Sequence, residues 1–278
     1  MTVAQQKQDN WHASLQLQYQ LRDQTTILAR RQHHGPLLVQ RPFYPEAGVC
    51  HTYIIHPPGG VVGGDHLDID VQVDSQAHAL LTTPASGKFY NSQKRCSQLN
   101  QTLRVQEGGT LEWLPQDNIF FEGSHTVLNT QVELSADARF IGWDISCLGR
   151  PFSGKQFDNG HSEQRFVLSR EGIPLVVDRT HFTAGQKMLT EKWGLADYPV
   201  VGTLLATPAD KSLVDQLRTA LKSSQDFEFS ATLINGVLVC RFLGHHGEMA
   251  RQHFEKAWRI VRPHVLGVEA CAPRIWKT

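Results

Sequence analysis

The chain has no excess of either charge, no paired cysteines and no long apolar run, and each absence removes a class of protein. Its 27 Lys and Arg are matched by 27 Asp and Glu, so it lacks the basic field of a dominant nucleic-acid surface. Balanced charge also weakens self-repulsion and predicts association or precipitation when no partner is present. The five cysteines, Cys50, Cys96, Cys147, Cys240 and Cys271, are odd in number, widely spaced and form no CxxC pair. That spacing suits a reducing compartment better than a disulfide framework. Met1 to His12 is polar and has no apolar centre of a signal peptide. No stretch approaches the roughly 18 apolar residues of a membrane helix. A cytosolic protein is expected. With 278 residues, 40% of them hydrophobic, it can bury a substantial core as one large β domain or two smaller ones.

Catalytic signatures are missing as well. Gly87-Lys88 fails as a phosphate loop, because Thr82 stands where the earlier glycine belongs and Phe89 where a hydroxyl would hold magnesium. The glycines of residues 59–64 have the wrong spacing for dinucleotide binding, and strand-like alternation follows where a helix is needed. Ser86, Ser124, Ser146 and Ser153 lie near glycines, yet none has the GxSxG setting or an assignable histidine base. Asp68 and Asp70 share a strand face, which permits acid/base work but is also the ordinary polar side of an exposed strand.

What the chain does have is a glycine-rich turn, His56-Pro57-Pro58-Gly59-Gly60-Val61-Val62-Gly63-Gly64-Asp65, and repeated alternation. Paired glycines let backbone turn and approach other chain closely. Residues 14–19 and 25–30 alternate and are expected to pair, and the proline-bounded run of residues 35–44 suits an edge or a short strand. Four later segments, residues 67–83, 101–114, 130–144 and 164–178, each show two runs about a small or charged turn. Their turns recur roughly every 30 to 35 residues. They read as antiparallel hairpins stacked into an elongated or helical, mainly β body, with a plain β-sandwich as the alternative. In the C-terminal half, Thr207, Pro208 and Asp210 predict a helix start, Thr207 capping it. A hairpin turning at Asn235-Gly236 follows. A second helix over about residues 248–261 is expected to end at Pro263, with Phe254 and Trp258 on its core face and Arg251, Glu255, Arg259 and Arg262 on a charged one.

Of the 14 histidines, several sit in loops. Cys50, His51, His56, Asp65 and His66 could hold nickel or zinc if the glycines fold the segment back, although neighbours on a strand point to opposite faces. In the stretch from Leu111 to Phe121, Trp113 reads as core, and Phe121 as core or as an interface anchor.

Taken together, these segments resemble the UreD (UreH) family of urease accessory proteins. The likeness rests on residues 56–65, on Thr82-Thr83-Pro84-Ala85-Ser86-Gly87-Lys88-Phe89-Tyr90 and on Leu111-Glu112-Trp113-Leu114-Pro115-Gln116-Asp117. Gly149-Arg150, Gly202-Thr203-Leu204 and the terminal Pro273-Arg274-Ile275-Trp276-Lys277-Thr278 follow in order. Lys155 stands where the family typically has glutamate, and Asn91 where it has arginine. The resemblance implies one domain over residues 1–278, with a β body at about 12–205 and helices at about 208–223 and 247–262. It implies a non-enzymatic cytoplasmic scaffold that binds apo-urease and a UreF-like protein, and through that protein a UreG-like GTPase carrying nickel. No tightly bound cofactor is expected, only transient nickel. Asp65, His66 and Glu112 are the candidates for lining a nickel path. Gly59, Gly60, Gly63, Gly64, Lys88, Trp113, Phe121, Arg150 and Trp258 are candidates for interface or structural roles. The rival readings are a hydrolase or transferase on a β scaffold and a stand-alone nickel-binding protein.

Overall fold

The computed structural model describes residues 11–277. The polar N-terminal stretch read for a signal peptide lies, up to Asn10, outside the described residues, as does Thr278. Among the described residues no helix is long and apolar enough to cross a membrane.

Alternation builds the first sheet. In β5 (His66–Val73) the leucine, isoleucine and valines are buried while His66, Asp68, Asp70 and Gln72 face outward, as extended chain requires. It lies among β1 (His12–Arg22), β2 (Thr25–His34), β8 (Ser97–Val105), β11 (Ser124–Leu134), β13 (Gly160–Arg170) and β14 (Ile173–Thr183). A second sheet is built on β4 (Cys50–Ile55), β6 (His78–Thr82), β9 (Thr110–Leu114) and β12 (Arg139–Leu148). It continues through β15 (Val200–Thr207), β17 (Val237–Gly244) and β16 (Phe227–Ile234), and β3 (Leu38–Val39) forms its other edge. Two short strands, β7 (Gly87–Phe89) and β10 (Asn118–Phe120), pair in parallel with each other, and β10 with the end of β12.

Three of the four expected hairpins are arches. The turns at residues 74–76, 107–109 and 135–137 carry the chain from the first sheet to the second, so β5, β8 and β11 do not pair with β6, β9 and β12. Strands adjacent within each sheet come from successive coils and run parallel, β1–β5–β8–β11–β13 in one and β4–β6–β9–β12 in the other. The turns stack too: Gln106 N donates to Val73 O, Ser135 N to Val105 O and Glu171 N to Leu134 O, each at 2.9 Å. Mainly β, stacked and coiled is therefore the architecture, but parallel where the pattern predicts antiparallel. A hairpin and an arch place the same turn residues between the same alternating runs. The fourth turn, at residues 170–172, is a true hairpin joining β13 and β14. So are the pairings of β1 with β2 and of β16 with β17, the latter with positive φ at Asn235 and Gly236.

The second sheet separates two cores. Leu205, Val237 and Val239 pack toward the first sheet, whereas Leu204, Ala206, Leu238 and Cys240 pack under the helices. Those helices are α2 (Lys211–Ala220) and α3 (Gly247–Leu266), with a short α1 (Lys187–Thr190) before them. Asp210, not Thr207, caps α2, accepting from Leu213 N at 3.0 Å. Thr207 is still in the strand ladder opposite Phe140, and its hydroxyl donates to Gly236 O. Helix α3 runs through Pro263 to Leu266 and ends at left-handed Gly267. Proline removes one amide bond, and the buried Val265 and Leu266 hold the last turn against the core.

The glycine pairs act as expected. A Cβ on Gly60 would lie 2.1 Å from the Tyr90 ring, and one on Gly63 would lie 2.6 Å from Ser92. Gly59 and Gly64 take φ of 77° and 96°.

Arg262, expected on the charged face of the helix away from the core, is fully buried. Its Nε donates to both oxygens of Glu112 at 3.1 Å, and its Nη atoms donate to Glu46 at 2.6 and 2.9 Å and to Glu269 O. Trp258 Nε1 donates to Glu112 at 2.7 Å, and His78 Nε2 lies 2.8 Å from the same carboxylate. Burial pushes the Glu112 carboxyl up, but His78 and Arg262 outweigh it and hold the group at about 2. Its stabilisation is present at neutral pH and is lost as pH falls from about 4.5 through about 2. Replacing the guanidinium alone strands a buried charge. We expect Arg262→Leu to lose about 3–5 kcal/mol in urea unfolding. A loss below about 1 kcal/mol would mean that this network does not anchor α3.

Candidate functional site

The residues nominated for a metal path do not converge. Asp65 closes the glycine turn, accepting from Val62 N at 3.0 Å and from Trp11 N at 3.3 Å. His66 stands on the outer face of the first sheet, its Nε2 2.9 Å from Asp68 Oδ1. Glu112 is enclosed beneath α3. The wider set fails for the same reason: Cys50 points into the inter-sheet core, while neighbouring His51 points the other way, 2.8 Å from Glu46. Among the described residues, the clusters close enough to share an ion are His12, His66 and Asp68, and His161, Glu163 and His181. Asp68 and Asp70 share the outward face of β5 as expected, where Asp70 accepts two bonds from Arg104 at 2.9 and 3.0 Å. Trp113 and Trp258 are both core.

A cavity lies where the two sheets face each other, mostly apolar in its larger chamber and polar where it narrows inward. A chamber of about 200 Å³ runs inward from the glycine turn at Gly59 and Gly60, past Lys88. A second of about 50 Å³ continues toward Arg241. The two share Gln101, Asn118, Thr130, Asp144 and Phe166. Inward positions that would ordinarily be apolar are amides, hydroxyls and charges here. Asn118 Nδ2 donates to Asp144 Oδ1 at 3.0 Å, Thr130 to Gln101 at 2.8 Å and Gln164 Nε2 to Ser146 at 3.0 Å. At the far end Arg241 donates to Asp178 at 2.5 Å and to Thr203 at 2.6 Å. The sequence reading missed this group. Its one visible signal is Asp144, the lone carboxylate in the mostly apolar stretch from Phe140 to Leu148.

Lys88, Phe121 and Arg150, nominated separately, meet in one surface groove of about 840 Å³ beside the start of α3. The Arg150 guanidinium lies 4.7 Å from the centre of the Phe121 ring, which also meets Tyr90 edge-on. Phe152 projects from the turn that follows and is 95% exposed. Gly154 closes that turn at φ 65°, and the Lys155 backbone pairs with Arg150, leaving the Lys155 side chain exposed. Gly247 opens α3 with no side chain, where a Cβ would lie 2.7 Å from Asp117 Oδ2, so that carboxylate sits at the helix N-terminus. Ser86, Lys88 and Gln116 line both the groove and the larger chamber, so surface and interior adjoin. Burial and the nearby Asp117 carboxylate push the Cys147 thiol well up, and it stays protonated.

Asp144 is the titratable centre of the cavity. It is half-buried in the wall that the two chambers share. Burial raises its carboxyl to about 6, with Asp178 adding to the rise and Asn118 opposing it. The folded chain therefore holds a proton that the unfolded chain releases, and stability declines as pH rises from about 4 through about 6. Asp144→Asn removes that penalty. We expect the variant to gain on the parent by on the order of 2 kcal/mol by pH 7.5 and to match its pH dependence below about pH 4. Parallel stability curves across that range would contradict the buried, raised carboxyl.

The UreD urease accessory protein family matches residues 12–277. The urease accessory protein UreD of Enterobacter sp. (strain 638) is 42% identical over 277 residues, covering 100% of this chain and 99% of that one. UreD proteins of Alcanivorax borkumensis and Alkalilimnicola ehrlichii are 43% and 44% identical, each covering 96% of this chain and 92% of the relative. With the coiled β body and C-terminal helices in hand, this match along the described chain places the protein in the UreD family of urease accessory proteins.

Proposed function

We propose that the chain is a non-enzymatic cytoplasmic scaffold, a chaperone of urease maturation. It would hold apo-urease on one surface and a UreF-like accessory protein on another, with a UreG-like GTPase joined through the latter. Nickel is the cargo and not a resident cofactor. The observation that carries this reading is the continuity of the groove with the interior cavity, since Ser86, Lys88 and Gln116 border both. An exposed aromatic, a guanidinium stacked on a second aromatic and a rim of charge are the usual parts of a protein interface. Amide and carboxylate oxygens inside are weaker ligands for nickel than imidazole or thiolate, which suits passage and release.

The test is co-expression with the UreF-like and UreG-like proteins and apo-urease, followed by size-exclusion chromatography with mass determination. Co-elution with the UreF-like partner is the expected result. A chain that elutes alone with every partner present overturns the scaffold reading. Phe152 is exposed and makes no core contact, so Phe152→Asp should leave the fold intact. We expect it to weaken co-elution by at least about ten-fold, the scale of an interface hot spot. Unchanged co-elution would place the partner elsewhere.

A further inference from the structure

Outside the cavity and the groove, the outer face of the first sheet carries a cluster that neither explains. His12 on β1 and His66 on β5 are register partners, and Asp68 lies one outward position further along β5. His12 Nε2 is 2.9 Å from Asp68 Oδ2, and His66 Nε2 is 2.9 Å from Asp68 Oδ1. The imidazole rings stand edge-on, with centroids 5.1 Å apart. One donor atom from each of the three side chains lies within 4.8 Å of the other two.

Asn100, the neighbour of Asp68 on β8, holds the carboxylate in place. Its Oδ1 accepts from Asn129 Nδ2 at 3.0 Å, which turns Nδ2 toward the cluster. That Nδ2 donates to Asp68 Oδ1 at 3.0 Å. The two imidazole nitrogens approach different oxygens of the same carboxylate from two adjacent strands, so three ligand atoms face one point on the outer face of the sheet.

We propose that His12, His66 and Asp68 form a surface site for a borderline divalent cation of the zinc and nickel class. Two imidazoles and one carboxylate are donors for that class and not for calcium or magnesium. Three protein ligands leave a fourth position open to water or to an incoming ligand. Asn100 orients the carboxylate from behind, as outer partners of metal ligands do. The cluster faces away from the inter-sheet cavity, so the site stands whether or not the chain docks urease. His161, Glu163 and His181 form the second cluster of this face at its other side. Glu163 is three strands from His66 along the same row, roughly 14 Å away, so the two clusters are separable by mutation.

The test is calorimetric titration of Zn²⁺ alone into the purified full chain, with circular dichroism to confirm the fold of each variant. We expect His66→Ala and His12→Ala each to remove one bound Zn²⁺ per chain. His12 is an exposed side chain at the sheet's end, so its variant keeps the test valid if His66→Ala does not fold. Asn100→Ala should weaken that site about ten-fold without abolishing it. His161→Ala/His181→Ala should leave it unchanged. Equal stoichiometry and affinity in the parent, His12→Ala and His66→Ala would overturn the site and leave the three side chains as a hydrogen-bonded ladder. Loss of the zinc equivalent only in His161→Ala/His181→Ala would overturn it equally.

Discussion

The structure turns on one buried charge. Glu112 sits in the middle of the second sheet with no water to solvate it, and an unpaired carboxylate there would cost several kcal/mol. Arg262, Trp258 and His78 supply its partners, and the first two lie on α3. The helix must therefore cross the sheet at that point and in that rotation. Its start is then set beside β10, where the missing side chain of Gly247 admits Asp117. The floor of the groove follows from that placement. The apolar stripe of α3 adds most of the burial, but an apolar stripe alone would tolerate sliding. The ion pair does not.

A second constraint comes from the coils. Because each arch moves the chain to the opposite sheet, equivalent positions of successive coils stack in register, and like residues form columns. Apolar columns close the core, as where Phe89 and Phe120 stack with centroids 5.1 Å apart. Polar columns cannot close in this way. Gln101 and Thr130 occupy neighbouring inward positions on β8 and β11 and bond to each other, and Asn118 and Asp144 do so across from them. The space between these pairs is the cavity. It is a consequence of which residues recur coil by coil, and the polar part of its wall is made of amides, hydroxyls and carboxylates.

Much of the fold was legible because alternation reports burial directly. The strands, the glycine turns, the Asn-Gly hairpin and the core face of α3 all follow from residues within a few positions of one another. The arches did not, since turn residues specify a reversal but not which sheet receives the next strand. Arg262 was misread for a related reason: a helical projection shows a charge but not its partners Glu46 and Glu112, which are distant in sequence. The same limit hid the cavity. Asp178, Gln164 and Arg241 are unremarkable within their own strands and acquire meaning only across the gap between sheets. Lys88, Phe121 and Arg150 were legible one at a time, through motifs, and their meeting in one groove was not.

We propose that the interior, and not only the surface, serves urease maturation. Thr130 lies where the two chambers join, so Thr130→Phe would fill the junction while Thr130→Val would leave it open. The decisive measurement is the nickel content of urease matured with the complete accessory set, using complexes shown to co-elute. Little nickel in urease matured with Thr130→Phe and full loading with Thr130→Val are the expected results. Full loading with both would contradict the proposal and confine the protein's role to its outer surfaces.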